Sequence, residues 1–222
     1  MTDYTEEHRQ MLIEWLEAHD LPKGLGDEQS ACTLAAINLT MTGELTDYIP
    51  YCMSDVLGKA AIRLQDEMPS AMRNSKRYKA LIPNMPGTGR ELENERLAVL
   101  MDWMWTVVLP QVQPVADKHG FGSEWERMCV EKSAAAARAA DAAARAADAY
   151  DAYAAAAAAY DAARAADAAA LADDARAADA AALAADAYAA AAAYADDADD
   201  FWEAVDPIGV LERMTYLEGG EE

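Results

Sequence analysis

Apolar residues recur at three- and four-residue intervals along most of the chain, the spacing of one face of an α-helix. Residues 3–19 put Met11, Leu12, Trp15 and Leu16 on one face, and Leu21-Pro22 with Gly24 and Gly26 close that helix in a turn. Residues 27–40 form a second helix, apolar at Cys32, Leu34, Ile37 and Leu39 and ended by Gly43. Residues 54–67 form a third, apolar at Val56, Leu57, Ala60, Ala61 and Leu64 and stopped by Pro69. Residues 68–90 read as loop and short helix, punctuated by prolines and glycines. Residues 91–109 carry Leu97, Val99, Leu100, Trp103, Met104 and Val107, too many for one stripe, so this helix is expected at the buried centre of the N-terminal part. Pro110 and Pro114 kink or break the chain after it. Ser123 and Glu126 then match a capping box that opens the next helix. After Asp206-Pro207 a last short helix carries Ile208, Val210, Leu211, Met214 and Leu217. No stretch keeps the two-residue alternation of a strand for long.

Between these lies a segment with a pattern of its own. Residues 134–200 comprise 43 Ala, 13 Asp, 5 Tyr, 4 Arg and 2 Leu, with no Gly, Pro, Ser, Thr or β-branched residue. Alanine has the best helix propensity and nothing here competes for the backbone, so the tract is helix. One unbroken helix over residues 133–205 would run roughly 110 Å. The polar positions argue for several, the alternative being one long helix buried differently along its length. Arg138, Asp141, Arg145 and Asp148 share one face at heptad spacing, whereas Asp161, Arg164 and Asp167 fall near the opposite face if the helix simply continues. Breaks are expected near residues 150–160 and 171–174, with Asp151, Asp161 and Asp173 as N-caps. Methyl groups allow close axial approach, and Tyr150, Tyr153, Tyr160, Leu171, Leu183, Tyr188 and Tyr194 are expected to fill the seams. AADAAALA occurs at both 165–172 and 177–184, a trace of duplication of a simple helical unit.

The expected fold is therefore all-α: an N-terminal helical subdomain packed on a bundle of close-packed alanine-rich helices. The subdomain covers 1–122, with a basic loop at 68–90, the bundle covers 123–218, and 219–222 form a disordered tail.

Charge narrows the function classes. The net charge is −22, spread over tract and remainder alike. Such a chain repels nucleic acid and anionic membrane. The most apolar run, 103–109, is too short to span a bilayer, and the N-terminus carries no signal-peptide pattern. Cys32, Cys52 and Cys129 are widely spaced and odd in number, as expected of reduced, mostly buried cytoplasmic thiols. His8, His19 and His119 are the only histidines and lie too far apart to suggest a metal centre. No Ser/His/Asp or Cys/His spacing suggests a catalytic site, so no cofactor, metal or reaction is assigned.

Against this acidity, residues 68–90 (MPSAMRNSKRYKALIPNMPGTGR) hold Arg73, Lys76, Arg77, Lys79 and Arg90 and no acid. They end in a glycine turn that feeds a helix at Glu91. Helix N-termini and flexible backbone donors hold anions. Arg73 and Arg77, one turn apart on a helix, could share one phosphate. The candidate ligand site is accordingly Arg73, Asn74, Lys76, Arg77, Thr88 and Arg90, for an anionic small molecule such as a nucleotide. The plainer alternative is that these cations face solvent or dock on the acidic alanine helices. Thr88 and Glu91 also match a capping box, which alone would account for the turn.

The ending FWEAVDPIGVLERM behind an alanine tract, with the blocks ACTLAAINLTMTGELTDYIPYCMS and MRNSKRYKALIPNMPGTGR, resembles alanine-rich accessory proteins of bacteriophages. It is also loosely similar to alanine-rich immunity proteins of bacteria. The resemblance implies a viral accessory role in the cytoplasm of an infected bacterium, countering a host defence. The reading is thus a non-enzymatic protein that binds, and could sequester, a nucleotide signal. The alternative is an acidic inhibitor or DNA mimic that blocks a host defence protein, or a relative of toxin-immunity proteins. Heptad Asp residues lie about 10.5 Å apart along a helix, sparser than DNA phosphates, which counts against mimicry. Exposed alanine faces would equally suit a homo-oligomer.

Overall fold

The computed structural model describes residues 3–147, 150–171, 174–192 and 198–217. In chain order they form α1 (Glu6–Ala18), β1 (Gly26–Asp27), β2 (Ser30–Ala31), α2 (Thr33–Thr42), α3 (Asp55–Glu67), α4 (Ser70–Arg73), α5 (Lys76–Leu81), α6 (Glu93–Trp103), α7 (Gln113–His119) and α8 (Gly122–Glu131). The alanine tract gives α9 (Ala134–Ala146), α10 (Tyr150–Ala170) and α11 (Asp174–Ala192); α12 (Ala198–Val205) and α13 (Pro207–Thr215) complete the chain. The protein is all-α, with β1 and β2 pairing as a single two-residue antiparallel ladder.

Two compact units divide the chain. The first is 1–96 with 207–222, and the second is 97–206. The division thus falls after Arg96, inside α6, rather than near residue 122, and the last helix belongs with the N-terminal residues. The proposed tail at 219–222 lies outside the described residues.

In the first unit α2 is the central helix. Thr33 to Asn38, Thr40 and Met41 are all buried, so it is wrapped on every side. Residues 91–109 do not take that place. Their helix shortens to α6, continues as a π-helical turn over Met104–Val108 and ends in a 3-10 turn over Leu109–Val112. Pro110 has no N–H to give and its ring crowds the preceding turn, which widens the helix just ahead of it. Side chains fix the helix starts. Thr5 and His8 form a capping box on α1, the Cys32 thiol accepts from Ala35 N–H on α2, and Ser54 and Ser75 cap α3 and α5. At Ser123 the anticipated capping box does not form. α8 begins at Gly122, and the Ser123 hydroxyl donates to Glu124 instead.

In the second unit α10 packs between α9 and α11. Ala152, Ala155, Ala159 and Ala162 of α10 are completely buried, as are Ala140 of α9 and Ala181 and Ala184 of α11. The seams are therefore closed by methyl groups. Tyr153, Tyr160 and Leu171 lie outside them, 51, 47 and 69 % exposed, and Leu183 is half-buried. Of the anticipated seam fillers Tyr188 is deeply buried, its ring 5.3 Å from Trp103 and 5.6 Å from Trp202. Tyr194 and the Tyr150 side chain lie outside the described residues. The break at 171–174 is where the polar pattern puts it. The first break falls at the N-terminal edge of the anticipated stretch, between Ala146 and Tyr150, so Asp151 and Asp161 lie within α10 rather than ahead of it; Asp173 lies outside the described residues.

Candidate functional site

The basic island divides by environment. Arg73 ends α4 and is buried: its Nε donates to Leu21 O at 2.9 Å, and its Nη1 to Gln65 O at 3.2 Å and Met68 O at 2.9 Å. These last two carbonyls lie at the end of α3, where helix carbonyls lack partners and a cation is favoured. Arg77 forms a two-point pair with Glu212, Nε to Oε1 at 2.9 Å and Nη2 to Oε2 at 2.6 Å, tying α5 to α13. Arg73 and Arg77 therefore do not converge on one phosphate. Arg90 pairs with Asp55 at 2.8 Å and lies over the Tyr51 ring at 5.5 Å. Thr88 accepts from Ser54 N–H and donates to Met85 O, a loop fastener rather than the start of α6.

Two members of the anticipated site, Asn74 and Lys76, do share a cavity. It is a cleft of about 640 Å³ between α1 and α5, within the size range of small-ligand pockets. Arg9, Ile13, Leu16 and Glu17 of α1 form one wall; Lys76, Lys79 and Ala80 of α5, with Asn74 and Pro83, form the other. The spacings are those of single helix faces, Arg9-Ile13-Leu16 on α1 and Lys76-Ala80-Pro83 opposite.

The polar groups of the cleft differ in how far they are committed. Asn74 is held in place: its Oδ1 accepts from Leu21 N–H at 2.7 Å and its Nδ2 donates to Ser70 O and Leu21 O. Lys79 donates to His19 O at 2.7 Å and lies 3.6 Å from the exposed Asp20 carboxylate. Arg9 makes two long contacts, 3.5 Å to Glu6 and 3.4 Å to Asn84 Oδ1. Lys76 is exposed and, among the described residues, pairs with nothing. Tyr4, which donates to Pro83 O at 3.0 Å beside the cleft, is pushed up to about 12 by burial, against the pull of Arg9, so it stays a neutral donor. Three cations thus face one carboxylate, Glu17, over an apolar floor of Ile13, Leu16 and Pro83. This is chemistry for holding an anion that has an apolar part.

Sequence reasoning missed the α1 wall. Arg9, Ile13 and Leu16 read as an ordinary amphipathic helix, and nothing local says that residues some seventy positions away complete a cavity with them. Lys79 was visible in the island; only the fold separates it from Arg73 and Arg77.

Elsewhere the chemistry is quiet. The Cys129 thiol is pushed up to about 11 by burial and Cys32 also upward, so both are protonated and poorly nucleophilic at neutral pH. Among the described residues no group of three or more His, Cys, Asp or Glu side chains is placed to hold a metal ion. Among them, too, no helix is long and apolar enough to cross a membrane. Comparison with protein-family models, with curated proteins and with solved structures finds no match to this chain.

Proposed function

We propose that this protein is a non-enzymatic binder of an anionic small molecule, and that the α1–α5 cleft is its site. The observation that carries the reading is Lys76. In a chain of net charge −22 it is, among the described residues, a cation without an internal partner, and it stands in a cavity that also holds Lys79 and Arg9. An unpaired ammonium beside the loosely held Arg9 guanidinium and the Lys79 ammonium favours an anion by charge-assisted hydrogen bonds. Asn74 adds an oriented amide, and the apolar floor adds burial. Sequestration of a charged signal, such as a nucleotide, is the use that fits a viral accessory protein acting against a host defence.

The rival reading, an acidic surface imitating DNA or plugging a defence protein, has less support. Arg138 pairs with Asp167, Arg145 with Asp141 and Arg164 with Asp161, so these three of the thirteen acids of residues 134–200 are paired and basic residues interrupt the acidic surface. The test is mass spectrometry of small molecules released by heating protein purified from bacteria, including cells with nucleotide-signalling defences. A stoichiometric anion released by the native protein and absent from Lys76→Glu/Lys79→Glu is the expected result. Equal release by both proteins would remove the cleft from the account.

A further inference from the structure

The cleft has a direction. Tyr4 donates to Pro83 O, Arg9 reaches Asn84, Lys79 reaches His19 O, and Leu21 N–H donates to Asn74. As the first partner advances along α1 the second steps back from Asn84 towards Asn74, so the two walls run antiparallel. The cations are consequently sorted. Arg9 stands at the end nearest Pro83 and Asn84. Lys76 and Lys79 stand at the other end, beside His19 and Asn74. Between them the walls are apolar, with Ile13 and Leu16 facing Ala80. From Arg9 to Glu17 the α1 wall is about 12 Å long. Among the described residues no aromatic side chain lines the cleft, so none of them offers a stacking face to a nucleobase there.

We infer that the cleft, read as the anion site proposed above, takes a molecule with an anionic group at each end of an apolar body about 10 Å long. One anionic group meets Lys76 and Lys79, whose ammonium groups each carry three donors; the other meets the guanidinium of Arg9, which offers two parallel donors to a carboxylate or phosphate. Glu17, on the lysine end, disfavours a second negative charge there and so reinforces the one-at-each-end arrangement.

Titration calorimetry of the full chain at fixed ionic strength, with decanedioate, decanoate and succinate as probes, tests this. Decanedioate spans the cleft, decanoate lacks the second charge, and succinate lacks the length. The expected result is decanedioate binding about tenfold tighter than either. Arg9→Gln lowers decanedioate to the level of decanoate and leaves decanoate unchanged; Lys76→Gln weakens both. Decanedioate no tighter than decanoate overturns the two-ended site, and Lys76-dependent binding of both would then leave the simpler anion cleft standing. No binding of any probe also overturns it. Titration with inorganic phosphate then decides the parent reading: Lys76-dependent binding preserves it, and none removes it.

Discussion

The five cations of residues 68–90 show how little a charge says about its role until its surroundings are known. Arg73 spends its guanidinium on three backbone carbonyls in a buried position, where losing a charged donor leaves acceptors unsatisfied. Arg77, in an ion pair open to solvent, holds a surface contact that salt and entropy discount. In denaturant titrations Arg73→Met should cost on the order of 3 kcal/mol, and Arg77→Met less than about 1 kcal/mol. Similar losses for the two would mean that Arg73 is not the internal fastener described here. The same contrast explains what could be read in advance. The island was legible as charge. Its sorting was not, because the acceptors come from Leu21, Gln65 and Met68 for one arginine and from Glu212 for the other. Arg96 makes the point again: buried, and donating to Met214 O, Gly89 O and Thr88 O, it carried no sequence signal.

At the scale of elements the alanine tract was largely readable. Composition dictates helix, and the wandering polar stripe dictates more than one. The break positions were harder, since a turn among alanines needs no glycine or proline when tertiary packing favours it. The seams were misjudged for a related reason. Tyrosine is bulky enough to hold helices apart, so the closest faces exclude it and take methyl groups. Ala159→Leu, in a fully buried seam position, should therefore destabilise by about 2 kcal/mol through overpacking. Ala170→Leu, at an exposed position on the same helix, should stay within about 0.5 kcal/mol. Equal effects in thermal melts would contradict the seam assignment. The acids respond to the same crowding. Burial, then the nearby Asp186 carboxylate, hold the Asp161 carboxyl above the ordinary aspartate range, against the pull of Arg164. The folded state thus binds this proton more tightly than the unfolded chain. Its contribution to stability is present below the ordinary aspartate value and is lost as pH rises through the raised one. Asp161→Asn should raise the melting temperature at neutral pH and flatten its dependence between the two values. A variant that melts lower at neutral pH while keeping the native slope would show that the carboxylate is stabilising.

For the molecule as a whole, the all-α class was plain from the sequence, whereas the grouping of its helices was not. Pro207 and the helix it opens join the unit built from the first 96 residues. That return places Glu212 opposite Arg77 and so keeps Arg77 from the cleft. Two of the nine residues lining the cleft, Asn74 and Lys76, lay within the anticipated site; the α1 wall depends on α1 meeting α5, a contact between distant residues that no local pattern encodes. Function then turns on whether this small cationic cavity binds anions despite the repulsion of a strongly acidic chain. The most direct measurement is the melting temperature of the native protein and of Lys76→Gln across a panel of phosphate, nucleotide and carboxylate anions at constant ionic strength. Because the exposed Lys76 side chain has no partner among the described residues, the variant should melt with the native protein when no ligand is added. A saturable rise for at least one anion with the native protein, absent or much reduced in Lys76→Gln, is the predicted result. Identical rises in both proteins, or none with any anion, would contradict an anion site in the α1–α5 cleft.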